Sequence, residues 1–254
     1  MIIESAFLKI PEVLLSSKLQ DQLYEANITN LLTTCVLLEL NARNIENPLM
    51  KIDMERRYDM TQNIRCDAYY DFSDFMNESS FNGYGIRCKN WVESKYFGSI
   101  RRNKGNETKS ENAGSIMYDI FRLIFHNHIT GNTNDSKYSV NIFNDNPQKY
   151  LAYNRKDGVQ RYWVEGLVKE GINLIKFDLG KEPNTIKGKF KGHTNIVMQV
   201  ILRNTVFKPY NIDELNTMGF YGFLNQILDY KVEVDGVVVE SETFEKNIRL
   251  IHKN

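Results

Sequence analysis

The stretch Trp91-Val92-Glu93-Ser94-Lys95-Tyr96-Phe97 sets a carboxylate and a lysine two positions apart inside an otherwise apolar run. Glycines at Gly85 and Gly98 bracket it, and its aromatic and β-branched content suits one long strand over 85–98. In a strand, residues i and i+2 point to the same face. Glu93 and Lys95 therefore project together, on the face that also carries Trp91 and Phe97. Burying a carboxylate and an ammonium costs free energy unless they are paired or hold an ion. Such a strand belongs inside a sheet with a use for its two charges; the alternative is the polar face of a half-exposed strand, with Glu93 and Lys95 paired across to Arg or Asp neighbours.

The flanking sequence supplies the rest of a layered α/β unit. Leu31, Leu32, Cys35, Leu38 and Ala42 recur at helical spacing, with Thr29 as the expected cap and Ile28 as its staple residue. That helix is expected to end near Arg43 or Asn44, with Glu39 in its middle. Residues 51–60 and 63–72 read as strands, the second rich in Tyr, Phe and Ile. Asp67 belongs to this second strand, and pairing of 67–72 with 85–97 would bring Asp67 beside Glu93. After a basic loop with Arg101, Arg102 and Lys104, a helix capped by Ser110 or Asn112 buries Ile116, Met117, Ile120, Leu123 and Ile124. Residues 137–143 form a further strand. In the second half, strands are expected at 150–154, 160–168, 172–180 and 195–202, a helix at 213–228, and a hairpin over 231–240 turning at Asp235-Gly236. The fold class is α/β, a mixed central sheet flanked by helices in one domain over 1–254, with a C-terminal half elaborating the core.

Two carboxylates and a lysine on adjoining strands suit phosphodiester hydrolysis. A carboxylate pair holds Mg²⁺, which takes hard oxygen ligands and keeps several waters. The ion polarises the phosphate and lowers the pKa of a bound water. A neighbouring lysine positions or deprotonates that water, or offsets phosphate charge. The order helix, strand, strand with Asp67, strand with Glu93-Ser94-Lys95, helix, strand resembles the core of the PD-(D/E)xK nucleases over residues 29–143. The resemblance implies an αβββαβ core and Mg²⁺-dependent cleavage of double-stranded DNA, with Asp67 and Glu93 as metal ligands and Lys95 assisting the water. It also makes Glu39 a secondary candidate from the first core helix. Cys66 stands where the family's proline precedes the first aspartate, the gap from Asp67 to Glu93 is long, and Asp71 and Asp74 compete with Asp67 for the first carboxylate.

Within that resemblance, Arg101, Arg102 and Lys104 are placed to meet phosphates. A type II restriction enzyme is favoured over a repair nuclease, because the second half is free to supply specificity and dimer contacts. A homodimer is expected for a palindromic site. A non-catalytic binding module is the alternative of another class. Basic and acidic residues number 32 each, which argues against a simple basic DNA-coating protein. The three cysteines, Cys35, Cys66 and Cys88, form no CxxC pair; neither a disulfide framework nor a zinc site is expected, and a reducing cytoplasm is. There is neither a membrane-length apolar run nor a basic leader. Phosphate-binding glycine loops and nucleophile elbows are absent. His126-Asn127-His128 spells HNH, but at a helix end its expected role is capping or a surface position.

Overall fold

Ile2, Ile3, Ala6, Phe7, Ile10 and Leu14 form the buried stripe of helix α1 (Ile2–Ser16), which packs on α2 (Glu25–Ala42). The computed structural model describes residues 2–16, 23–59, 63–76, 87–98, 108–213 and 216–251. Helix α2 starts four residues before the expected cap. Asn27 Oδ1 accepts from Tyr24 N at 2.8 Å, and Thr29 lies inside the helix, its hydroxyl donating back to Glu25 O. Three strands follow: β1 (Ile52–Met54), β2 (Ala68–Asp71) and β3 (Lys89–Phe97). Helix α3 (Lys109–Ile129) is capped by Thr108, whose side chain accepts from Glu111 N, rather than by Ser110 or Asn112. Strand β4 (Ser136–Phe143) completes the expected order of helix, three strands, helix and strand.

β1 pairs antiparallel with β2, and β2 with β3, while β3 and β4 run parallel across the α3 crossover. Beyond β4 the same sheet continues through β9 (Tyr221–Val234), β6 (Ile196–Phe207) and β5 (Gly171–Asp178), all antiparallel. The rest of the C-terminal half comprises α4 (Tyr162–Val168), a single turn α5 (Asn184–Lys187), the hairpin of β7 (Tyr210–Asp213) and β8 (Asn216–Met218), β10 (Val237–Glu240) and α6 (Phe244–Ile251). Helices α1 and α2 cover one face of the sheet with Val92 and Tyr96. Helices α3 and α4 cover the other with Trp91 and Phe97. Among the described residues no helix is long and apolar enough to cross a membrane. Cys35, Cys66 and Cys88 are free thiols, all buried.

Three expectations for the second half are corrected. Residues 160–168 form α4, not a strand: Trp163, Val164 and Leu167 fall on one buried helical face. Residues 150–154 carry a turn and one isolated bridge, Asn154 to Gln160. The helix expected at 213–228 is replaced from Tyr221 onward by β9, a central strand buried on both faces. Such strands lose the polar alternation that marks an exposed one. The Asp235-Gly236 hairpin is present, joining β9 to β10. The asparagines of the central strands do structural work. Asn141 donates to Asn225 Oδ1, Asn225 donates to Asn204 Oδ1 and to Leu167 O, and Asn204 donates to Gly166 O and Lys169 O.

One close approach fixes β6 on β9. Gly222 lies opposite Phe207, and a Cβ at 222 would sit 2.2 Å from the Phe207 ring. That ring is buried against Phe7, with centroids 5.0 Å apart, so it has little room to retreat. Gly222→Ala is expected to destabilise the fold by about 1–3 kcal/mol in urea denaturation. Phe207→Leu in the same chain should recover part of that loss.

Candidate active site

The register Ala68↔Val92 and Tyr69↔Trp91 sets the start of β2 beside the middle of β3. Asp67 sits one residue before β2. Its backbone N donates to Val92 O at 3.1 Å, and its Oδ2 accepts from Ser94 N at 2.6 Å. Glu93 lies on the α3-facing side of β3 and is 1% exposed. Its Oε1 accepts from Tyr58 OH at 2.6 Å and pairs with Arg122 Nη2 at 3.1 Å. Lys95, two residues on, places Nζ 2.9 Å from Glu25 Oε1 and 3.1 Å from Asp119 Oδ2. Asp119 and Arg122, one turn apart on α3, stand 3.7 Å from each other.

Four carboxylates, Asp67, Glu93, Asp119 and Glu25, thus share a cluster with two cations, Lys95 and Arg122. With all six ionised the cluster carries two excess negative charges, and proton affinities respond accordingly. Burial pushes the Asp67 carboxyl up to about 6, against the Ser94 N–H and Lys95, with Asp119 and Glu25 adding to the rise. Burial raises Glu93 as well, followed by the charge of Asp119 and opposed by Arg122. Asp119 is raised by burial and restrained by Lys95 and Arg122. Burial alone would lower Lys95, but Asp119 and Glu25 outweigh it, so its pKa rises and it remains a cation. Proton abstraction by Lys95 is disfavoured in this arrangement; charge stabilisation is not.

The donor set suits a hard divalent cation. Carboxylate oxygens are its preferred ligands, one or two of them suffice for Mg²⁺, and with all six groups ionised the excess charge equals that of the ion. Among the described residues no group of three or more His, Cys, Asp or Glu side chains is placed to hold a metal ion, so an ion here would take at most two carboxylates and complete its shell with water.

Glu39 is not part of the cluster. It pairs with Lys9 at 2.6 Å and Arg43 at 3.2 Å, and it lies about 21 Å along the axis of α2 from Glu25, at 1.5 Å per residue. The glutamate that α2 brings to Lys95 is Glu25, in its first turn. Asp71 takes bonds from Ser73 N at 3.0 Å and Tyr69 OH at 3.3 Å, and exposed Asp74 pairs with Lys51. Asp67 is the aspartate brought to Glu93 and Lys95. Arg101, Arg102 and Lys104 lie outside the described residues. Sequence reasoning missed Glu25, Asp119, Arg122 and Tyr58. Asp119 carried a usable signal, an acidic residue among Ile116, Ile120 and Leu123 on the buried face of α3. Comparison with family models, with curated proteins and with solved structures returned no match.

The HNH triplet lies in the last turns of α3. His128 Nδ1 is 3.1 Å from Tyr230 OH, and the His126 ring lies 5.5 Å from that of Tyr58. Burial, helped by the charge of Arg122, pushes the His126 imidazole down to about 4. The folded protein therefore holds this proton less tightly than the unfolded chain does. His126 leaves stability intact above its unfolded pKa near 6.5 and costs stability as the pH falls from there toward 4. His126→Gln should thus gain about 1–2 kcal/mol relative to the parent between pH 7.5 and pH 4.5, after allowing for solvent screening. Urea denaturation of the two proteins at both pH values measures this, and the contribution of Asp67 cancels in the comparison.

Proposed function

We propose that this chain is a divalent-cation-dependent endonuclease acting on double-stranded DNA, of the restriction-like PD-(D/E)xK type. The observation that carries the reading is the convergence of Asp67, Glu93 and Lys95 on adjoining strands, inside the order of helix, three strands, helix and strand. Asp67 and Glu93 would hold Mg²⁺, which when bound polarises the scissile phosphate and acidifies a water. Lys95, kept protonated by Glu25 and Asp119, offsets charge developing on the attacked phosphate. Tyr58 and Arg122 fix the Glu93 carboxylate, and the Ser94 N–H fixes that of Asp67. The reading extends to sequence-specific cleavage by a homodimer, in keeping with the two-fold symmetry of palindromic sites.

The ion pair between Arg122 and Glu93 favours a second reading, in which the cluster is a buried structural network of a non-catalytic DNA-binding module. Incubating the protein with several plasmids under Mg²⁺ or Mn²⁺, with a chelated control, separates the possibilities. Discrete fragments support the restriction reading. Nicks confined to branched or damaged DNA point to a repair nuclease of the same fold. Absence of cleavage with either ion favours the module.

A further inference from the structure

Arg57 and Arg65 face each other across an isolated antiparallel bridge just outside the β1–β2 ladder. Like charges directly opposite destabilise a strand pair. Both side chains are exposed, and neither has a carboxylate within ion-pair distance among the described residues. Beside them the Arg56 guanidinium lies over the Tyr69 ring, 4.0 Å from its centroid and 5.7 Å from that of Trp91. Exposed Lys89 completes one wall of an open hollow of about 600 Å³, in which these four cations meet two carboxylates, Asp53 and Glu55.

The hollow abuts the active-site cluster. Tyr58 lines it and donates to Glu93 Oε1. Trp91, also in its wall, precedes Glu93 by two residues on the same face of β3, about 6.6 Å along the strand. The Arg122 guanidinium, paired with Glu93, also donates to Arg65 O. A basic, partly stacked cavity at that distance has the chemistry of a phosphate seat, because guanidinium groups grip phosphate oxygens in pairs. A bound phosphate would also relieve the repulsion between Arg57 and Arg65.

We propose that this hollow seats a backbone phosphate of the DNA strand beside the scissile phosphodiester. Arg57, Arg65 and Lys89 are positioning residues that hold the strand in register without reading its sequence. The choice of ligand rests on the nuclease reading; the site rests on its own geometry.

The test uses the full chain and a labelled duplex of about 30 base pairs with chelator present, titrated at several salt concentrations. Arg57→Gln/Arg65→Gln should weaken binding by about 10- to 100-fold and lessen the log–log salt slope by about 1, the counterion release of one neutralised phosphate, and Lys89→Gln should move both in the same direction by less. Thermal unfolding of the double variant should be unchanged or higher, since a like-charge pair is removed. Affinity and slope equal to the parent's would overturn the proposal, as would a loss of affinity with an unchanged slope, or a parent that binds no duplex. Cleavage by a parent whose variants bind equally well would sink the phosphate seat and leave the nuclease reading standing. A lessened slope in a protein that never cleaves would do the reverse.

Discussion

Lys95→Met is expected to lower the rate of phosphodiester cleavage by about 10²–10⁴-fold while leaving duplex affinity within a few-fold. Lys95 Nζ is held between Glu25 and Asp119, so its charge is fixed before any substrate arrives. A charge aimed in advance at a developing negative centre contributes most in a water-poor site, and it contributes more to the transition state than to the ground state. Its loss should therefore appear in the chemical step. The same substitution raises the excess negative charge of the cluster from two to three, so affinity for Mn²⁺ should hold or rise. That pairing, a slow chemical step with intact metal binding, separates Lys95 from the carboxylates. Single-turnover cleavage and a Mn²⁺ titration on one preparation measure both. Unaltered cleavage by Lys95→Met would remove this residue from the chemistry.

Arg161→Met is expected to cost about 3–5 kcal/mol of folding stability, since it leaves a buried charge without its partner. Arg161 Nε donates to Glu182 Oε2 at 2.8 Å, and the two side chains are 3% and 5% exposed. The guanidinium also donates to Ala152 O and Asn154 O, and Trp163 Nε1 donates to Glu182 Oε1 at 2.9 Å. These bonds tie the 152–154 segment and the start of α4 to the turn before α5. With Arg161 gone, the Glu182 carboxylate keeps the Trp163 N–H but loses the guanidinium, a charge left buried without its counter-ion. Adding Glu182→Gln removes the stranded charge yet preserves an acceptor for Trp163. The double variant should thus regain much of the loss, as read by urea denaturation. A single variant as stable as the parent would show that the pair contributes little.

The first half of the fold was legible because its signals are local. The buried stripe of α3 and the aromatic content of β2 and β3 each fall within one element, and the period-2 face of β3 put Glu93 and Lys95 side by side. The second half was less legible because its apolar runs are short or buried all round. In β9, Phe223 to Ile227 form a continuous buried run, which periodicity alone does not separate from a helix. In α4 seven residues are too few to establish a period. The site divided in the same way. Asp67, Glu93 and Lys95 share a strand pair and could be read together. Glu25 reaches Lys95 from 70 residues away, and Tyr58 reaches Glu93 across 35. Glu39 was the more visible glutamate of α2, being central to the helix, but α1 supplies Lys9 to neutralise it. The polar first turn of α2 concealed Glu25, since acidic residues there suit the helix dipole without any further role.

Cleavage of supercoiled plasmid under Mg²⁺ by the parent and by Glu93→Gln, run side by side, tests the central assignment most directly. The glutamine keeps an oxygen for Tyr58 OH and nearly the same volume, but it removes the charge that a divalent ion requires. The parent should convert the plasmid to discrete products only when the ion is present, and Glu93→Gln, folded by circular dichroism, should leave it intact. A Glu93→Gln protein that cuts as fast as the parent would contradict the assignment of Asp67, Glu93 and Lys95 as a metal-dependent active site.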